Sequence, residues 1–359
     1  MNVDGKNFRT IWPHPHLKSV HIIDQTLLPH RFEVAQIHSV EGMEYAIRTM
    51  QVRGAPLIGA AAAYGIALAM AEDKSDAYLS YACETLLASR PTAVNLQWAI
   101  KRMQQFLGGI EVERRNFNAW KEAANICNED VKLNQAIGQH GLELIQNLAA
   151  KKKGVLNIQT HCNAGWLATV DWGTALAPVY AAHAAGIPLH VWVDETRPRS
   201  QGASLTAWEL GQQGIAHTVV SDNAGGRLMQ NGQVDMVIVG ADRVTGSGDV
   251  CNKIGTYLQA LAAYDNRIPF YAAVPSPTID WAISDGLAEI PIEERSGDEV
   301  KWIQGRLESG EIARVDVLPQ GSVAANPAFD ITPSRLVTGI ITELGVCQPS
   351  QLRKTFKVG

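Results

Sequence analysis

VLNIQT at 155–160, LHVWVD at 189–194, HTVVS at 217–221, DMVIVG at 235–240 and PFYAAV at 269–274 are short apolar runs rich in β-branched residues. RVDVL at 314–318 is a sixth, weaker run. After each of the first four come polar or Gly-rich residues and then a helical pattern. That alternation predicts βαβ units and a parallel sheet. Parallel strands are buried on both faces, which explains runs that are apolar throughout rather than alternating. Upstream, from about 35 to 150, good helix formers dominate. The segment 118–149, NAWKEAANICNEDVKLNQAIGQHGLELIQNLA, carries apolar residues at three- and four-residue spacing. Lys151-Lys152-Lys153-Gly154 is the expected join between a mainly helical part, 1–150, and a sheet part, 151–359. The same lysines suit the end of the preceding helix, where cations favour the dipole.

Composition agrees with a folded α/β chain. Of 359 residues, 46% are hydrophobic and 19% charged, which excludes a disordered protein. The length suits two domains or one large one. A net charge of −5 does not favour non-specific binding to nucleic acid or to an acidic membrane. The five cysteines, Cys83, Cys127, Cys162, Cys251 and Cys347, are widely spaced and form no CxxC pair. That spacing argues against a zinc ribbon or disulfide framework and for a reducing, cytoplasmic setting. No basic segment followed by an apolar core opens the sequence, so no signal peptide is expected. The longest apolar run, APLIGAAAAYGIALAMA at 55–71, is short for a membrane span and reads as a tightly packed core helix.

Ligands of open parallel sheets bind beyond the carboxyl ends of the strands. The predicted ends are His161-Cys162-Asn163-Ala164-Gly165, Asp194-Glu195-Thr196-Arg197-Pro198, Asp222-Asn223, Gly240-Ala241-Asp242-Arg243 and Pro275-Ser276-Pro277-Thr278. Polar and ionisable residues crowd all five, which points to an active site. No GxGxxG or GxxxxGK[ST] occupies these turns, which removes the main support for a nicotinamide or nucleoside-triphosphate site. Two stretches suit a phosphate. Arg53-Gly54-Ala55-Pro56 places a proline where a helix can begin, beside a guanidinium. The Gly-rich turn from Gly246 leads into Asn252-Lys253 and a helix. Alone, Arg53 and Lys253 read equally as solvated surface cations. Cys162, before a turn and a helix N-terminus, is placed to gain thiolate character, or it is an inert core residue. Asp242, beside an apolar run, suits a general acid with a raised pKa; a salt bridge to Arg243 or a helix cap is the alternative. His161 reads as structural.

These residues, in this order, resemble a known family. Arg53-Gly54-Ala55-Pro56, Thr160-His161-Cys162-Asn163-Ala164-Gly165, Asp194-Glu195-Thr196-Arg197-Pro198 with Gln201-Gly202-Ala203, Gly240-Ala241-Asp242-Arg243 and Asn252-Lys253-Ile254-Gly255-Thr256-Tyr257 are similar to the methylthioribose-1-phosphate isomerases of methionine salvage. Asn326-Pro327-Ala328-Phe329-Asp330-Ile331-Thr332-Pro333 completes the set, and the likeness runs from Asp24 to Glu343. The same family includes the regulatory subunits of translation initiation factor 2B and the ribose-1,5-bisphosphate isomerases. The resemblance implies a Rossmann-like C-terminal domain, a smaller, mainly helical N-terminal domain and a homodimer. It implies no metal and no nicotinamide. It implies that Asp242 donates a proton and that Cys162 is a base or transition-state stabiliser. Arg53, Gly54, Ala55, Arg90, Gln201, Asn252 and Lys253 would hold a phosphosugar. Arg90 sits in Ser89-Arg90-Pro91-Thr92.

An aldose locked as a cyclic 1-phosphate cannot open freely to an aldehyde, so its ring oxygen must be protonated by a neutral acid. Trp166, where a small residue is more usual, departs from the family pattern, as do Ser247 and Cys251. If Trp166 faces the pocket, it alters which 5-substituent fits. Two rival readings are an isomerase of 5-deoxyribose 1-phosphate or ribose 1,5-bisphosphate and a non-catalytic regulatory subunit.

Overall fold

The computed structural model describes residues 1–16, 18–90 and 92–358; Pro91, quoted above beside Arg90, lies outside them. After a short antiparallel ribbon of Asn2–Val3 with Lys6–Asn7, the chain forms a three-stranded antiparallel sheet of β1 (Ile11–Pro13), β2 (Val20–Ile23) and β3 (Val34–Ile37). Five helices follow: α1 (Val40–Arg48), α2 (Ala55–Glu72), α3 (Asp76–Ser89), α4 (Val94–Gly108) and α5 (Arg115–Ala149). Serine N-caps start two of them. Ser39 accepts the Gly42 N–H and Ser75 accepts the Tyr78 N–H.

The Ala-rich run is α2. It is long and apolar enough to cross a membrane, yet it is buried among the other four helices. Small alanines on every face let all four approach it closely, which is why it lacks a polar stripe.

Beyond α5 lies a seven-stranded sheet. Its strands in chain order are β4 (Leu156–Thr160), β5 (Leu189–Asp194), β6 (His217–Val220), β7 (Met236–Val239), β10 (Phe270–Ala273), β14 (Gly339–Thr342) and β15 (Gly345–Cys347). Their order across the sheet is β15-β14-β10-β7-β4-β5-β6, parallel except for β15. Between β7 and β10 lies a hairpin, β8 (Arg243–Thr245) with β9 (Val250–Lys253), and β9 also pairs with β13 (Phe329–Thr332).

The five main runs are therefore five adjacent parallel strands, with β6 at one edge of the sheet. The sixth run is not in this sheet. It lies in β12 (Ile312–Asp316), which pairs only with β11 (Trp302–Arg306) in a separate ribbon. The half-exposed pattern of β12 fits that edge position. The sheet is instead completed by β14 and β15, which the sequence reading did not identify as strands.

Two apolar cores meet along α5. Its first half, with Ala119, Ile126 and Val131, lies in the helical core. Ile137 and Ile145 lie in the sheet core. The texture changes at 150, but the packing changes hands inside this one helix, between Val131 and Ile137. All five cysteines are free and buried.

Candidate active site

β5 and β6 lie on one side of β4, and the chain then crosses back to place β7 on the other side. The crevice between the carboxyl ends of β4 and β7 is therefore the topological switch point, where such sheets bind ligands. Cys162 follows β4 and Asp242 follows β7. The two ends are close: a Cβ added to Gly240 would stand 2.6 Å from the Ala164 Cβ.

Cys162 is 7% exposed, with a left-handed φ of 64°. Two threonines hold that uncommon backbone. The Cys162 N–H donates to Thr196 Oγ1 at 2.8 Å, and Thr206 Oγ1 donates to the Cys162 carbonyl at 2.7 Å. Thr196 is itself left-handed, with φ 66°. Strain of this kind collects at functional sites. No α-helix opens behind Cys162. The turn runs into a single 3-10 turn, Trp166–Ala168. Burial pushes the thiol up from its ordinary value, against the pull of Arg53 and Lys253; Asp242 also pushes it up. Desolvation thus outweighs the two cations at this thiol and works against the thiolate character expected from its position.

Asp242 is half-buried. Among the described residues its carboxylate has no hydrogen bond and no ion pair, while its N–H is held by the Cys251 carbonyl at 2.9 Å. Arg243 turns away, to Asp280 at 3.4 Å and the Thr92 carbonyl at 2.5 Å. Neither the salt bridge to Arg243 nor a helix cap occupies Asp242.

Lys253 is no surface lysine. It is 7% exposed, donates to the Ala328 carbonyl at 2.7 Å and lies 4.6 Å from the Phe329 ring centroid. Burial holds it below its ordinary value, and the neighbouring cations Arg90 and Arg295 act in the same sense. It lies on strand β9, so the Gly-rich turn closes a hairpin rather than leading directly into a helix. Asn252 precedes it and donates to Thr256 Oγ1 at 3.0 Å.

Arg53 is half-buried and anchored at both ends of its guanidinium: Nη1 to Asn163 Oδ1 at 2.5 Å and Nη2 to the Asn163 carbonyl at 2.8 Å. Gly54, with φ 95°, packs its backbone on Ala168. Ala55 and Pro56 open α2. Arg53 and Gln201 line a cavity of about 370 Å³ walled by Met50, Ser200 and Trp302. Ala55, Arg90 and Asp242 line a small neighbouring cleft with Cys251 and Phe329. Arg90 pairs with Glu293 at 3.1 Å. The predicted residues thus fall into two adjoining groups, joined through Cys162, on whose thiol charges from both sides act.

Trp166 does not face this space. Its ring is fully buried in the sheet core, 6.2 Å from the Trp208 ring. His161 is structural, as read: its ring nitrogens meet Asp194 Oδ2 at 2.9 Å and the Ile254 carbonyl at 2.8 Å. Sequence reading missed Asn163 as the anchor of Arg53. It gave no role to Thr196, though that residue lies in a quoted strand end, and it missed Thr206 and the buried Glu209, which come from a distant segment and carry no motif of their own.

The sequence matches the model of the Initiation factor 2 subunit family over residues 51–349. The chain belongs to this family. Within it, the protein is 61% identical over 356 residues to the methylthioribose-1-phosphate isomerase of Rhodospirillum rubrum, covering 98% of this chain and 91% of that one. The crystal structure of 5-methylthioribose 1-phosphate isomerase from Pyrococcus horikoshii is 40% identical, with a TM-score of 0.83 and coverage of 99% and 97%. A structure named as translation initiation factor eIF-2B subunit delta from A. fulgidus is also 40% identical, with a TM-score of 0.80 and coverage of 98% and 100%. By these identities the chain belongs with the methylthioribose-1-phosphate isomerases of the family, which are aldose–ketose isomerases.

Proposed function

We propose that this protein converts 5-methylthioribose 1-phosphate to 5-methylthioribulose 1-phosphate in methionine salvage, with Asp242 and Cys162 as its reacting side chains. The observation that carries the proposal is their placement at the two strand ends that flank the switch point, with Arg53 and Lys253 acting on the same thiol. Asp242, whose carboxyl has no hydrogen-bond partner among the described residues, in its protonated form gives a proton to the ring oxygen, and the C1–O bond to that oxygen then breaks. Hydrogen must next pass from C2 to C1. In one route Cys162, acting as the thiolate, takes the C2 proton to give an enediol-type intermediate; the thiol then returns a proton to C1 while the 2-hydroxyl proton passes to Asp242, giving the ketose and restoring both groups. In the other, hydride shifts directly from C2 to C1, the 2-hydroxyl proton leaves, and Cys162 stabilises the developing charge. Arg53, Arg90 and Lys253 would hold the phosphate; Gly54 and Ala55 shape its seat at the start of α2; Gln201 and Asn252 would contact the sugar. Exclusion of water protects the open intermediate from losing phosphate.

The units 1–150 and 151–359 are proposed as the phosphate-binding and catalytic halves of a homodimer acting in the cytoplasm. Phosphorus and proton NMR of the purified protein with 5-methylthioribose 1-phosphate, without added metal or nucleotide, tests the activity. Conversion to the ketose phosphate is expected. Binding without turnover would replace this reading with a regulatory one, and turnover of 5-deoxyribose 1-phosphate or ribose 1,5-bisphosphate alone would change the substrate. In the same tube, deuterium from solvent at C1 marks proton transfer, and a retained C2 label marks the hydride shift.

A further inference from the structure

Glu209 is fully buried, 47 residues after Cys162 in sequence, yet its carboxylate sits against the catalytic turn. Oε1 accepts the Leu167 N–H at 2.9 Å and Asn163 Nδ2 at 3.0 Å. Oε2 accepts the Trp166 N–H at 3.0 Å and lies 2.5 Å from the Tyr180 hydroxyl. Both carboxylate oxygens thus accept from the 163–167 turn, and Oε2 also meets Tyr180 of the helix Ala177–Ala184. A side chain at Gly165 would collide with this carboxylate, so the glycine leaves room for it.

The amide of Asn163 has one orientation that satisfies its neighbours. Arg53 has only N–H groups to offer, so it must meet Oδ1. Nδ2 then points at Glu209 and at Thr206 Oγ1, 3.2 Å away, both of which accept it. Removing the Glu209 acceptor frees the amide to turn, and a turned amide would set its own N–H₂ against the guanidinium. Glu209 thus fixes which face of Asn163 reaches Arg53. The element that delivers it is unusual. Gly202–Thr206 is a π-helical turn, and α-helix resumes at Ala207–Gln212. Widened turns of this kind occur mostly at functional sites. This one brings Gln201, Thr206 and Glu209 to the same crevice.

We propose that Glu209 and Asn163 are positioning residues for this reaction, acting through Arg53: Glu209 orients the Asn163 amide, and Asn163 aims the guanidinium that receives the substrate phosphate. The inference rests on the isomerase reading above. Neither residue touches the substrate.

A double-mutant cycle tests it, because residues that act through a shared partner are non-additive. kcat and KM would be measured for wild type, Asn163→Ala, Glu209→Leu, Arg53→Ala, and the doubles of the first two with Arg53→Ala. In the wild-type background, Asn163→Ala and Glu209→Leu, which leaves no acceptor for the amide, are each expected to lower kcat/KM by about tenfold or more, mainly through KM. In the Arg53→Ala background each should cost under about threefold. Equal losses in both backgrounds, or no loss in wild type, would overturn the proposal. If Glu209→Leu does not fold, the Asn163→Ala cycle alone decides it. A wild-type protein that turns over no sugar phosphate refutes the isomerase reading instead. The same cycle read through the dissociation constant of inorganic phosphate would then still judge the relay.

Discussion

At Cys162 and Asp242 the neighbours set the chemistry. The Asp242 carboxylate is half-exposed and without a partner among the described residues, so Asp242→Asn removes an acid and breaks no contact. Its expected result is loss of turnover with a melting temperature shifted by no more than about 1–2 °C, checked by NMR assay and calorimetry. Cys162→Ser should cost several orders of magnitude in kcat, since a serine hydroxyl is a far weaker acid and nucleophile. Wild-type rates in both variants would refute the assignment. Lys253 differs, because its ammonium also satisfies the buried Ala328 carbonyl. Lys253→Ala should therefore lose stability as well as phosphate affinity, leaving an orphan acceptor worth about 1–3 kcal/mol. Cys162 and Asp242 were legible in the sequence as candidates because each follows a recognisable strand, whereas Lys253 was marked by a Gly-rich turn and the family resemblance. Glu209 was not: nothing around residue 209 marks a carboxylate that serves a turn 47 residues away.

α2 and α5 make the site dependent on how whole elements pack. The N-terminus of α2 is brought in by Gly54, where an added Cβ would stand 2.5 Å from the Ala168 carbonyl in a left-handed backbone. Gly54→Ala costs at least about 1–2 kcal/mol for the backbone alone, and relief of the clash would push Arg53 away from Asn163. Both a lower melting temperature and a higher KM are expected.

α5 carries a buried acid, Asp130, that receives the Val170 N–H at 2.8 Å. Burial pushes Asp130 up to about 7, against the opposing pull of that N–H and of Asn134. The folded state then binds more protons than the unfolded state between the ordinary aspartate value and about pH 7. Stability from this group is full below that window and falls as pH rises through it. Asp130→Asn should remove this decline, so its melting temperature should gain on wild type steadily from pH 4 to 8. A constant difference across that range would show that Asp130 is ionised throughout. The helix itself was plain in its periodicity; the burial of Asp130 against the 166–170 loop was not.

Over the whole molecule, the two cores share one helix. Further bonds cross between the halves: Thr10 Oγ1 to the Trp166 carbonyl at 2.9 Å and Gln25 Nε2 to the Leu167 carbonyl at 2.7 Å. Heat should therefore unfold the protein in one transition, with calorimetric and van't Hoff enthalpies in agreement. The fragment 151–359 should fail to fold alone, because it loses Ile137 and Ile145 from the sheet core. Two separated transitions, or a stable fragment with native sheet content, would show instead that 150 is a true boundary of stability.

The α/β class, five parallel strands, the core character of 55–71 and the placement of Cys162 and Asp242 just past two strand ends were determined by sequence alone. Each is a local property: β-branched runs, alanine density, and polar residues just past a strand. Sequence also carried the family, because many short motifs occur in one order. Tertiary structure alone decided which strands complete the sheet, where one core ends and the other begins, and that Trp166 turns inward. It also decided that desolvation outweighs two cations at Cys162, and that Arg53 is aimed through Asn163 by Glu209. These depend on which distant segments meet and how much water they exclude, and neither quantity is written in any local stretch of the chain.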